Sequence, residues 1–107
     1  MFPHEEKVLK EITNLLKETF PDRIDSVYAF GSRVRGDFHE WSDFDVLVVV
    51  KNRTAELTKS IIGIFVDEEI KAGVSLAPVI KDLSSFEQEK RYHTPFYENI
   101  MKDGVPL

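Results

Sequence analysis

Phe30-Gly31-Ser32-Arg33-Val34-Arg35-Gly36, followed after six intervening residues by Asp43-Phe44-Asp45-Val46-Leu47-Val48-Val49-Val50, decides how this chain is read. The second stretch alternates between aspartate and apolar residues and then runs on apolar without interruption. A strand that is apolar on both faces is covered on both faces, so 43–50 is predicted to be a central strand buried at its far end. The first stretch continues Ser26-Val27-Tyr28-Ala29-Phe30, a short β-type run, and its Gly31-Ser32 predicts a tight turn opening a short helix over 31–36. Between them, Asp37 to Ser42 reads as a polar loop carrying Trp41.

Working outward, His4 to about Thr19 places Val8, Ile12, Leu15 and Leu16 at helical spacing, with Glu5 and Glu6 in the first turn, where the helix dipole favours anions. Pro21 closes it. About Arg53 to Ala72 reads as a longer helix with Leu57, Ile61, Ile64 and Phe65 on one stripe and Gly73 as its C-terminal cap. Val74 to Ile80 reads as a third strand, and Pro78 within it favours an edge position or a bulge. Ser84-Ser85-Phe86-Glu87 fits a capping box, and Pro95 a last short helix ended by Asp103-Gly104. The order α-β-α-β-α-β-α-α predicts an α/β domain, a small mixed sheet packed with helices, spanning residues 1–107.

The totals narrow the function. With 107 residues the chain can bury one modest core, and 42% hydrophobic with 31% charged residues excludes a disordered chain. A net charge of −5 gives no basic footprint, so a nucleic-acid partner is not expected. A cationic pocket for one nucleotide remains compatible with it. Without cysteine there is no disulfide framework, thiol nucleophile or Cys-type zinc site. The start Met-Phe-Pro-His-Glu-Glu lacks a signal peptide's pattern, and the longest apolar run, Val46–Val50, is too short to span a bilayer. The expectation is a soluble cytoplasmic protein with no membrane partner.

Residues two apart in a strand point to the same face, so Asp43 and Asp45 form one negative cluster with Cα atoms roughly 6.5–7 Å apart. Such a pair repels itself unless a cation joins it, and Mg²⁺ suits one or two carboxylates plus phosphate oxygens and water. Alone, an Asp-x-Asp is more often the exposed start of a strand. A strand ending in Gly31-Ser32 and opening a helix offers N–H groups, a hydroxyl and a positive dipole end to an anion, and glycine admits close approach. Alone, this too is more often an ordinary turn with Ser32 as N-cap.

The combination changes the balance. Gly31-Ser32 and Asp43/Asp45 stand as Gly-Ser-x10-Asp-x-Asp, each half bordering a predicted strand. With Phe30 to Gly36 and Ser42 to Val46 as they stand, the chain resembles the minimal nucleotidyltransferase group of the DNA polymerase β superfamily, small proteins often paired as antitoxins with HEPN-domain toxins. The motif covers about a fifth of the chain; a looser likeness runs over nearly all of it, the final 95–107 included. The resemblance implies nucleotidyl transfer from ATP, with Asp43 and Asp45 as catalytic metal ligands for Mg²⁺ or Mn²⁺. Gly31 and Ser32 would hold the β- and γ-phosphates. Arg35 and Arg33 either reach a phosphate or pair with Asp37, Glu40 or the aspartates. The implied acceptor is a hydroxyl on a HEPN-type partner protein. Oligomeric state is left open, self-association included.

One departure from the family matters. Active members draw a third carboxylate from a neighbouring strand, and here Ser75 stands where that acid is expected, with Asp82, Asp67, Glu68 and Glu69 all outside the strand. An ATP-Mg²⁺-binding or protein-interaction module without turnover is therefore the alternative to a transferase. A purely structural protein with vestigial motifs is a more distant third. His4, His39 and His93 share no metal-ligand spacing and read as surface residues. Trp41 suits stacking on a base as well as covering the core edge. Phe86, Tyr92, Phe96, Tyr97 and Ile100 read as packing on the sheet or making a protein interface.

Overall fold

The computed structural model describes residues 2–35 and 43–107, Arg35 by its backbone alone. Asp37, His39, Glu40 and Trp41, to which roles were given above, lie outside the described residues.

The elements are α1 (Pro3–Thr19), β1 (Ile24–Phe30), α2 (Ser32–Arg35), β2 (Phe44–Val50), α3 (Ala55–Ala72), β3 (Leu76–Asp82), α4 (Leu83–Arg91), α5 (Pro95–Asp103) and β4 (Val105–Pro106). The four strands form one sheet in the order β3-β2-β1-β4. β1 pairs antiparallel with β2 and with β4, whereas β3 runs parallel to β2. Parallel neighbours need a long crossover, which α3 supplies. The fold is α/β with a mixed sheet, as the sequence order predicts.

β2 is interior, and the alternation of its side chains assigns each to one of two layers. Phe44, Val46, Val48 and Val50 meet Val8, Leu9, Ile12 and Leu16 of α1 and Leu57, Ile61 and Phe65 of α3. Leu47 and Val49 point the other way, onto Phe86 of α4 and Ile100 of α5. Asp45 belongs to this second set. Burial in both layers explains the uninterrupted apolar run. Burying a Val or Leu side chain contributes about 1.5–3 kcal/mol. Among the described residues, no helix is long and apolar enough to cross a membrane.

The element ends carry the differences. β3 runs over Leu76–Asp82 rather than 74–80, since its pairing continues to Val50↔Asp82 and its entry is fixed by Glu69, whose carboxylate accepts the Leu76 N–H at 2.7 Å. Pro78 does sit on an edge strand. α3 begins at Ala55, capped by Thr54, whose hydroxyl accepts the Leu57 N–H at 3.0 Å, and ends at Gly73 with φ +70°. α4 is capped by Asp82, not by Ser84. The Asp82 carboxylate accepts the N–H and hydroxyl of Ser84 and, at 2.8 Å, the Arg53 N–H. β4 was not foreseen; two residues are too few for a periodicity, and the Leu107 N–H extends the contact by donating to Val27 O at 2.9 Å.

Candidate active site

Three segments meet at one end of the sheet. Antiparallel pairing sets Phe30, the last residue of β1, beside Asp45, the second of β2. The chain then turns at Gly31 with φ +89°, which for a residue with a side chain costs about 1–2 kcal/mol. Space demands glycine as well: a Cβ there would collide with Asp45 Oδ2 and stand 3.1 Å from its Cγ. The turn backbone and one carboxylate of the motif therefore face each other with no room for a methyl group. Asp45 is half-buried, and Asp43, just before β2, is exposed.

α2 is a single turn of four residues, so its attraction for an anion lies in first-turn N–H groups rather than in a macrodipole. Arg33 anchors it. Its guanidinium pairs with the Glu5 carboxylate, with only 13% and 14% of the two side chains exposed, and lies 4.6 Å from the centroid of the Phe44 ring. The other Glu5 oxygen accepts the Phe2 N–H at 3.0 Å. Glu5 thus ties the first turn of α1 to the Gly31-Ser32 turn, a contact between elements that dipole complementarity within α1 does not reveal.

Gly31, Ser32, Phe30 and Asp45 form one side of a cavity of about 380 Å³. Phe96, Asn99 and Asp103 of α5 form the other. The Phe96 ring meets Phe30 edge-on, with centroids 5.6 Å apart and planes at 83°. The sequence reading placed Phe96 in the packing but missed Asn99 and Asp103. A signal was present: both flank the helical stripe that buries Ile100, spaced as i and i+4 on one side of α5.

On the opposite side of Asp45 lies β3. Ala77 pairs with Asp45, while the exposed Ser75 precedes the strand and accepts the Phe44 N–H at 2.9 Å through its carbonyl. Neither is an acid. Asp82, at the far end of β3, serves the α4 cap; the Arg53 N–H and then Ser84 hold its carboxyl below the ordinary value. Among the described residues, no three His, Asp or Glu side chains gather in a metal-holding group. His93 pairs with Glu98 at an exposed site, 2.8 Å apart, away from this cavity.

A family model for nucleotidyltransferase domains matches residues 9–107. The chain belongs to this family. Membership makes it a nucleotidyl-transferring enzyme, and the matched span holds the turn, both aspartates and the α5 wall. A protein of Methanocaldococcus jannaschii named as a protein adenylyltransferase is 30% identical over 97% of this chain and 98% of its own length. A nucleotidyltransferase crystal structure from Sulfolobus solfataricus superposes with a TM-score of 0.51 at 28% identity, covering 94% of this chain and 76% of that one. The MntA-HpeT toxin–antitoxin structure gives a TM-score of 0.57 at 16% identity over 91% and 69%, a likeness of fold.

Proposed function

We propose that this nucleotidyltransferase moves AMP from ATP onto a hydroxyl of a partner protein, with Mg²⁺ or Mn²⁺ held by Asp43 and Asp45. The observation that carries this reading is the close approach of Asp45 to Gly31, which sets a carboxylate against the turn that would seat a triphosphate. The donor set suits a hard divalent cation: the half-buried Asp45 lines the cavity, and the exposed Asp43 stands two residues before it, just ahead of β2. When bound, the ion would neutralise the triphosphate and the charge that develops at the α-phosphorus and on departing pyrophosphate.

In this reading Gly31 and Ser32 offer N–H groups and a hydroxyl to the β- and γ-phosphates, and Asp43 and Asp45 supply the catalytic metal ligands. Of the two arginines assigned to the nucleotide, Arg35 takes the phosphate role, while Arg33 reaches Glu5 and Phe44 and steadies the turn. The M. jannaschii relative's name supports a protein acceptor. So do the small side chains on the β3 side of Asp45, Ala77 beside it and the exposed Ser75 just before the strand, which suit the approach of a protein surface. The motif's resemblance to antitoxins paired with HEPN toxins supports a HEPN-type toxin as the acceptor, with this chain as its antitoxin in the cytoplasm.

Ser75 and Ala77 also favour a second reading, in which ATP-Mg²⁺ binds without turnover and the domain serves as a partner-binding module. Incubating the chain in host lysate with ATP labelled at the α- or the γ-phosphate separates the two. A protein band labelled only from the α position, and lost in Asp43→Asn/Asp45→Asn, supports transfer. No band, with ATP-Mg²⁺ binding intact by calorimetry, supports the second reading.

A further inference from the structure

The α5 wall of the cavity has been given no task, and its composition is selective. Phe96, Asn99 and Asp103 follow one another at three and four residues, so they share a side of the helix. All three line the cavity that also holds Gly31, Ser32 and Asp45. Its volume of about 380 Å³ lies within the range of small-molecule sites. Phe96, held edge-on against Phe30, offers ring surface. Asn99 is exposed and offers both donors and an acceptor, while the half-buried Asp103 offers acceptors alone.

Asp103 is the informative member. It is the last residue of α5, where the exposed carbonyls of a helix disfavour an anion. The turn beyond it is tight, because a Cβ on Gly104 would collide with the Ile100 carbonyl oxygen, and β4 then pairs with β1. The backbone that carries Asp103 is therefore held at the cavity wall. Facing a seat for a triphosphate, the Asp103 carboxylate repels phosphate oxygens, and among the described residues it joins no group of three or more acids or histidines that could hold a metal. What it can receive is the uncharged end of the nucleotide, and a ribose presents two adjacent O–H donors to the two oxygens of one carboxylate.

We propose that the Phe96–Asn99–Asp103 side of α5 is the nucleoside seat, with Asp103 accepting hydrogen bonds from the ribose hydroxyls, so that the site selects nucleoside triphosphates that carry the 2′- and 3′-hydroxyls over those that lack both. This rests on the reading of Gly31-Ser32 as the phosphate seat. Phe96 forms the apolar wall beside the sugar and base, and Asn99 supplies the amide that meets a polar edge. The β3 side of Asp45 is left for the acceptor.

The test is calorimetric binding of ATP, 2′,3′-dideoxy-ATP and inorganic tripolyphosphate, each with Mg²⁺, to wild type, Asp103→Ala and Asp103→Asn. Wild type is expected to favour ATP over the dideoxy analogue by about tenfold or more, as for hydrogen bonds to a charged group. Asp103→Ala should bring that ratio near one and leave tripolyphosphate affinity within about twofold, and Asp103→Asn, keeping one acceptor oxygen, should fall between. A melting temperature for each variant checks that α5 stays folded. Equal wild-type affinity for ATP and the analogue overturns the proposal, as does a preference that survives Asp103→Ala. A parallel fall in tripolyphosphate affinity also overturns it, since Asp103 would then act on the phosphates or their metal. Failure of wild type to bind either ATP or tripolyphosphate overturns the phosphate assignment and this inference together.

Discussion

Gly31 and Gly73 both have positive φ, at +89° and +70°, but only Gly31 faces another side chain. The comparison separates backbone strain from steric exclusion. Gly73→Ala adds a methyl group where nothing lies within 4 Å, so urea unfolding is expected to show a loss of about 1–2 kcal/mol from strain alone. Gly31→Ala should lose more and should abolish nucleotide labelling, because Asp45 must move. Equal losses, with labelling intact, would show that the carboxylate has somewhere else to go. At this scale the sequence spacing brings Gly31-Ser32 and Asp45 to one cavity through the pairing of β1 with β2, whereas Asp43 stands just ahead of the strand and outside the cavity's lining. Asn99 and Asp103 are not legible in the same way. Which side of α5 meets the cavity depends on how Phe96, Tyr97 and Ile100 seat the helix on Leu47 and Val49, and that is a property of the packed layers.

Elements here are held to one another by side chains serving two ends at once. Asp82 caps α4 and also binds the Arg53 N–H ahead of α3. Its carboxyl lies below the ordinary value of 3.8 in the folded protein, so its stabilising effect is complete above that pH and is lost as pH falls through the lower folded-state value. Asp82→Ala should therefore melt below wild type at neutral pH, and the gap should close under acid, as followed by circular dichroism. Glu5 plays the same double part for α1 and α2. A double-mutant cycle with Glu5→Gln and Arg33→Gln is expected to give a coupling of about 0.5–3 kcal/mol, with transfer slowed in each single variant as the turn loosens. The sequence places these elements well and their ends less well. Ser84 looks like a cap by pattern, but Asp82 precedes it with an ionised group already held by Arg53, and the charge-assisted bonds win. β3 slides two residues because Glu69, late in the preceding helix, takes the first N–H of the strand. Both are contacts between elements, invisible to a local pattern.

For the molecule as a whole, the reading of the site predicts linkage between ligand and fold. A ligand at one hundred times its Kd stabilises the native state by about 2.7 kcal/mol. ATP with Mg²⁺ should raise the melting temperature of wild type, and either EDTA or Asp45→Asn should remove most of that rise. A rise unaffected by both would detach the carboxylates from nucleotide binding. The fold class is legible because β2 is buried in two layers and declares it through Val46–Val50, and Pro78 announces an edge. β4 could not be anticipated, since it becomes a strand through β1. The fit of Gly31 against Asp45 also bears on how this chain can diverge. While the aspartate stays, an alanine at 31 finds no room; once the aspartate shortens, the room opens and only the φ preference remains. Lineages that abandon catalysis should therefore lose the acid first and the glycine afterwards, and a glycine-less, aspartate-bearing descendant should be rare.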